Sequence, residues 1–165
     1  MFAKYREIIM YLIFGVLTTV VGIGTYTLIF IFAEHGLKLD LSDKGTPIYL
    51  TVYLSAQILH WIAAVLFAFF TNKKWVFTEA DQEVSTLKQL RIFAGSRLLT
   101  LGLDALLTFG TVWILQTAGY KEFTMTFIIT LTVTADLISK IVAAVFVVIS
   151  NYFISKIFVF KNKKN

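Results

Sequence analysis

Arg97, Asp104, Asp136 and Lys140 each interrupt a stretch of chain that is otherwise apolar for long enough to cross a bilayer. On insertion scales a central Arg, Lys or Asp costs roughly 2.5–3.5 kcal/mol, so four amount to about 10 kcal/mol before any pairing. Leucine would fill a membrane without that penalty, and ionisable groups in hydrocarbon mark a working site by default. The chemistry they offer is recognition. Arg and Lys suit an anionic phosphate, Arg as a two-pronged fork. Carboxylates and amides, here Asp104, Asp136, Asn72 and Asn151, suit hydroxyl groups and counter-charge.

Helical spacing gathers these residues into stripes. Arg97 and Asp104, seven apart, fall within about 20° of each other on one helix. Asp136 and Lys140 form an i,i+4 pair, and Asn151 lies about 20° from Lys140. The four charges sum to zero, which a low-dielectric interior favours. The same residues also read as two salt bridges that only fix packing, and Arg97 alone as a side chain snorkelling to headgroups.

The elements that must position them follow from composition. Of 165 residues, 58% are hydrophobic and 15% charged, too apolar a balance for a soluble domain of this size. Nine glycines and one proline, Pro47, favour long helices over a barrel, so the expected fold is all-α and polytopic. With no cysteine, disulfides, thiolate nucleophiles and Cys-based zinc sites are excluded. The net charge of +5 sits at segment ends rather than along one face, which argues for membrane orientation and against nucleic acid.

Hydropathy predicts four spans, 8–32, 48–71, 90–115 and 125–154. Lys and Arg collect in the head (Lys4, Arg6), the central loop (Lys73, Lys74, Lys88, Arg91) and the tail (Lys156, Lys161, Lys163, Lys164), against Lys38, Lys44 and Lys121 in the other two connections. The positive-inside rule therefore puts both termini and the 72–89 loop in the cytoplasm. The first apolar run is too long for a signal-peptide core and is expected to remain as a span. The tail after Lys161 reads as attraction to anionic lipid. On these boundaries Asp104, Asp136 and Lys140 reach the middle third of the membrane, with Arg97 and Asn151 nearer the cytoplasmic side.

The chain also repeats. At an offset of 83, Phe70, Lys73, Trp75, Val76 and Phe77 match Phe153, Lys156, Phe158, Val159 and Phe160 in kind. Two helical hairpins, 1–77 and 88–160, each closed by a basic and aromatic cytoplasmic hem, read as parallel repeats within one domain, an arrangement whose interfaces commonly hold substrate. In the second span Gln57, Ala64 and Ala68 share a face that could approach a neighbour, and His60 reads as packing or hydrogen bonding, or as a proton-coupling group. Gly15, Thr19 and Gly22 read as a packing face on the first.

Asn72-Lys73-Lys74-Trp75-Val76-Phe77 and its partner ending Phe158-Val159-Phe160 resemble the paired signature of the GtrA-like family of small four-helix membrane proteins. The segment Phe93 to Thr100 with Asp104, and Asp136 to Lys140 followed by Asn151-Tyr152-Phe153, resemble its branch acting in teichoic acid and cell wall polysaccharide glycosylation. One departure is Ala68, where the family pattern has Asn as it does at Asn151. The resemblance implies translocation of a polyprenyl-phosphate-linked sugar, such as undecaprenyl-phosphate hexose, across the plasma membrane. It casts Arg97 and Lys140 as phosphate ligands and Asp104, Asp136, Asn151 and Asn72 as sugar or counter-charge groups. Lys73, Trp75, Phe77, Phe93, Lys156 and Phe160 would shape the cytoplasmic entrance. The alternative is a non-transporting subunit that anchors or regulates a polyprenyl-phosphate glycosyltransferase, and a weaker one is a small ion or proton-coupled carrier.

Catalysis finds no support. The chain has no membrane-adjacent Asp-x-Asp, no Gly-rich phosphate loop and no Ser or Cys nucleophile beside a base, so a non-enzyme without cofactor or metal is expected. Expected partners are the lipid-linked sugar, membrane glycosyltransferases of the same pathway and a second copy of the chain, because four helices leave little room to shield a sugar.

Overall fold

A computed structural model describes residues 2–78, 80, 84–126 and 130–161. The tail lysines Lys163 and Lys164 lie outside the described residues. Four helices are long and apolar enough to span a membrane, in agreement with the all-α polytopic expectation. They form two compact units, residues 1–80 and 81–161.

In the first unit, α1 (Phe2–Ile31) packs on α2 (Pro47–Thr71). Their antiparallel register is read from ring contacts: Phe30 meets Tyr49 near one end, and Phe14 stacks on Trp75 at 5.3 Å near the other. Gly22 lets the backbones approach, since a Cβ there would lie 3.6 Å from His60 and 3.7 Å from Ala64. Gly15 has nothing within 4 Å and Thr19 is exposed, so the expected packing face reduces to Gly22. The connection between these helices is held by its own carboxylates: the Ser42 amide donates to Asp40 at 3.0 Å and the Gly45 amide to Asp43 at 2.8 Å. The Ser42 amide holds the Asp40 carboxyl below its ordinary range. Thr46 then caps α2, accepting from the Tyr49 amide at 3.2 Å, with Pro47 in the first turn.

In the second unit, α3 (Thr86–Thr117) packs on α4 (Ala135–Ile154). Gly119, at φ 72°, ends α3: its amide donates to the Gln116 carbonyl and the Tyr120 amide to Leu115, the paired bonds of a Schellman cap. The fourth span starts ten residues later than hydropathy placed it, at 135 rather than 125. Residues Phe123–Thr126 and Thr130–Val133 instead form an antiparallel hairpin, β1 and β2, with Phe123 opposite Val133. Hydropathy cannot separate the two outcomes, but Thr at 124, 126, 130 and 132 alternates with apolar residues at a period of two and favours strand. Thr134 marks the true helix start, accepting from the Leu137 amide at 3.0 Å.

Both α2 and α4 close on a wider, π-helical turn, Asn72–Val76 and Ser155–Val159. The Phe77 amide donates to the Asn72 carbonyl and the Phe160 amide to the Ser155 carbonyl, each at 2.8 Å, positions 83 residues apart. This turn directs Phe77 and Phe160 inward, where both are buried. Phe160 meets Phe93 at 6.1 Å, both with no exposed surface, whereas Leu106 is 75% exposed. Hydrocarbon outside is as apolar as leucine, so only packing distinguishes these positions. Phe160→Ala is expected to destabilise the protein by about 3 kcal/mol through the void it leaves, and Leu106→Ala to change little. Unfolding in mixed micelles measures both.

Candidate functional site: a polar stripe between α3 and α4

Phe93, Arg97, Thr100 and Asp104 recur along α3 at intervals of four, three and four, so they share one face. Phe93, Thr100 and Asp104 meet Phe160, Asn151 and Lys140, partners that run up the α4 segment in the opposite direction, and the Arg97 guanidinium lies 4.5 Å over the Phe93 ring of its own helix. That contact aims Arg97 toward the N-terminal end of α3, away from Asp104. One turn on, the buried Thr100 hydroxyl donates to Asn151 Oδ1 at 3.0 Å, with the Arg97 carbonyl also within reach at 3.1 Å. A turn beyond, Lys140 Nζ donates to Asp104 Oδ2 at 3.2 Å. The rest of the interface is small and polar: Ser96, Ser139, Ala143 and Ser155 are buried, and the Ser96 and Ser139 hydroxyls are returned to carbonyls of their own helix.

The structure thus joins Lys140 to Asp104 across two helices, not to Asp136 on its own. Among the described residues Asp136 makes no ion pair. Its depth is also corrected: because α4 begins at Ala135, Asp136 stands in the first turn, at the end of the span rather than in its middle third. A carboxylate there is favoured by the positive end of the helix dipole and needs no partner inside the membrane. Lys140, five residues into α4, is likewise nearer that end than expected, at about 7.5 Å from the helix start. Asp104 alone of the three is central in its helix.

On α4 the charges are Asp136 in the first turn and Lys140 one turn further, alongside Arg97 and Asp104 as the charges of α3 between Phe93 and Thr117. The Lys140–Asp104 pair is not sealed: the side chains are 61% and 34% exposed, so the ammonium remains open on one side.

The two hems pack rings into their own units. Phe77, Phe93 and Phe160 are buried and plug their own units, while Trp75 is exposed and lies flat on Phe14. Lys156 reaches back to the Tyr152 hydroxyl at 3.2 Å. Lys73 follows Asn72 in the π turn, and Asn72 itself is buried. Two polar residues escaped the sequence reading. Thr100 ties Asn151 to α3, and its place between Arg97 and Asp104 on the stripe was the available signal. The buried Ser155 hydroxyl has no hydrogen-bond partner among the described residues, and nothing short of the fold distinguishes it.

A double-mutant cycle tests the cross-helix pair. Asp104→Asn alone leaves an uncompensated ammonium, so it should destabilise the protein more than Asp104→Asn combined with Lys140→Met, with a coupling of about 1 kcal/mol. Unfolding in mixed micelles gives the coupling, and strict additivity would show that the pair contributes nothing.

The GtrA/DPMS transmembrane-domain family matches residues 10–160. The chain is 33% identical to the uncharacterized membrane protein YwcD of Bacillus subtilis over 156 residues, 94% of this chain and 97% of the relative. It is 31% identical over 162 residues to the cell wall teichoic acid glycosylation protein GtcA of Listeria monocytogenes, covering 98% and 89% of the two chains. The corresponding protein of Listeria innocua is 32% identical over 166 residues, at 96% and 88% coverage. No solved structure matches. Four helices, as expected, and a family match over nearly the whole chain agree: this is a member of the GtrA/DPMS transmembrane-domain family.

Proposed function

We propose that this protein serves cell wall polymer glycosylation by carrying a polyprenyl-phosphate-linked sugar from the cytoplasmic to the outer leaflet, without catalysing a covalent step. The observation that carries this reading is the partly open Lys140–Asp104 pair, whose ammonium keeps an exposed side. A polyprenyl-phosphate sugar is a phosphodiester with one negative charge, which a single ammonium such as that of Lys140 can match. Arg97, about 10 Å along α3 from Asp104, offers a cytoplasmic-side station for the phosphate. Lys140 offers a second, where phosphate displaces the Asp104 carboxylate and later yields to it. Exchange of one anion for another on a single ammonium avoids ever leaving that cation bare in hydrocarbon. Asp104, once released from Lys140, would accept hydrogen bonds from sugar hydroxyls, as would Asn151 in exchange for its Thr100 partner, and Asp136 would stand at the exit end of α4.

Support from the relatives is of the same kind: GtcA of Listeria, similar over nearly its full length, is named for teichoic acid glycosylation. The 83-residue recurrence of the two π turns supports an origin by duplication of a hairpin. In this reading both termini are cytoplasmic, the membrane is the plasma membrane, and pathway glycosyltransferases and a second copy of the chain are the partners.

Reconstituted vesicles loaded with a short-chain isoprenyl-phosphate glucose test the carrier. Lys140→Ala should slow its passage between leaflets by at least about tenfold, the cost of losing one charge-assisted contact, while Lys140→Arg retains most of the rate. Unchanged passage in Lys140→Ala would overturn the assignment. Loss of lipid-sugar synthesis, rather than passage, in cells carrying that variant would favour the glycosyltransferase-subunit role. Orientation is separately measurable, since the chain has no native cysteine. A cysteine at Ser42 should react with an impermeant maleimide from outside intact cells, and one at Ser85 only after permeabilisation.

A further inference from the structure

The first unit holds a polar and aromatic cluster that the charge-based reading does not use. On α2, Tyr49, Tyr53, Gln57 and His60 follow at intervals of four, four and three, forming one stripe, and Tyr26 and Phe30 face them from α1. Tyr26 is the hub: its ring lies 4.9 Å from Phe30, 6.5 Å from Tyr53 and 6.2 Å from His60, the last two edge-on. Tyr49 and Tyr53 are 6.2 Å apart and within 12° of parallel, so their faces point the same way. All six side chains are half-buried, neither packed away nor fully open.

Their polar atoms are incompletely used. Gln57 donates to the Tyr53 hydroxyl at 3.0 Å, which leaves its carbonyl oxygen as an acceptor. His60 Nδ1 lies 3.2 Å from the Ala56 carbonyl. A carbonyl only accepts, so in the neutral ring Nδ1 carries the proton and Nε2 is an acceptor. Among the described residues the hydroxyls of Tyr26 and Tyr49 make no hydrogen bond. An unsatisfied hydroxyl is costly in hydrocarbon, and these tyrosines sit where phenylalanine would pack equally well. An interfacial aromatic belt accounts for Tyr49, just inside the helix start at Pro47, but not for His60, about 20 Å further along α2.

Flat ring faces, edge-placed hydroxyls, an amide and an imidazole acceptor, with no formal charge among them, match a neutral pyranose. Its C–H face lies on an aromatic ring while its hydroxyls bond at the rim. A phosphate finds no cation here. We infer that the α1–α2 aromatic stripe is a binding subsite for the sugar ring of a lipid-linked saccharide, with Tyr26 and Tyr53 as stacking platforms and Gln57 and His60 as hydroxyl acceptors. This rests on the lipid-sugar reading above for the identity of the ligand, but not on translocation.

The full-length protein in nanodiscs is titrated with citronellyl-phosphate-glucose and, in parallel, with citronellyl phosphate, which lacks the sugar. Tyr53→Leu and Tyr26→Leu should each weaken the glucose-bearing probe about tenfold and leave the sugarless probe unchanged, while Tyr53→Phe keeps binding within about threefold. Equal loss for both probes, or no loss for either, overturns the subsite. Saturation transfer from aromatic protons to the pyranose C–H protons in the wild-type protein is a second readout that needs no variant, and its absence also overturns the proposal. Sugar-selective binding with no leaflet passage would leave the subsite standing and remove the carrier function instead.

Discussion

A polar group inside a bilayer has no water to turn to, and the packing of α3 on α4 is organised around that constraint. Lys140 and Asp104 satisfy each other across the helix pair at 3.2 Å, and Thr100 with Asn151 does the same at 3.0 Å one step toward the hem. The two contacts fix the register of the hairpin, because sliding either helix by one turn would strand two ionisable groups and two hydrogen-bonding groups in hydrocarbon at once. Apolar contacts cannot do this in a membrane, where leucine on lipid and leucine on leucine are nearly equivalent. The small residues Ser96, Ser139 and Ala143 serve the same end by letting the backbones come close enough for short side chains to meet.

In the proposed function the same pair is also what exchanges. A partly exposed ion pair adds little net stability, so in that reading it serves by exchangeability rather than by strength. Partial exposure of both side chains leaves room for a second anion to approach the ammonium. The first hairpin presents rings, hydroxyls and an imidazole between α1 and α2. The two units thus share a helix pair and its closing π turn while presenting different chemistry.

The π turns that end α2 and α4 show how much can be done without glycine. Widening the last turn to an i→i+5 bond swings Phe77 and Phe160 into their own hairpins, where each meets a ring from the first helix of its unit, Tyr11 or Phe93. Hydrocarbon-facing helices would otherwise end in fraying carbonyls. The aromatic and basic residues next to these turns then meet the headgroup region, with Lys74 over the Trp75 ring and Lys156 over that of Tyr152.

Four helices, their apolar lengths and the recurrence of the hems were legible in the chain, because hydropathy and spacing are properties of residues taken in order. So was the stripe of Arg97 and Asp104, since seven residues on a helix return to the same face whatever surrounds it. Partners were not legible. Asp136 and Lys140, four apart, had every local reason to pair, and only the start of α4 at Ala135 moved Asp136 to the helix end and left Lys140 to Asp104. That start depended on a contest between strand and helix in a threonine-rich apolar run, decided by Thr134 as a cap and by hairpin pairing. The depth of a charge, the identity of its counter-ion and the grouping of Tyr26 with Tyr53 and His60 are distances between segments remote in sequence, and those exist only once the helices have packed.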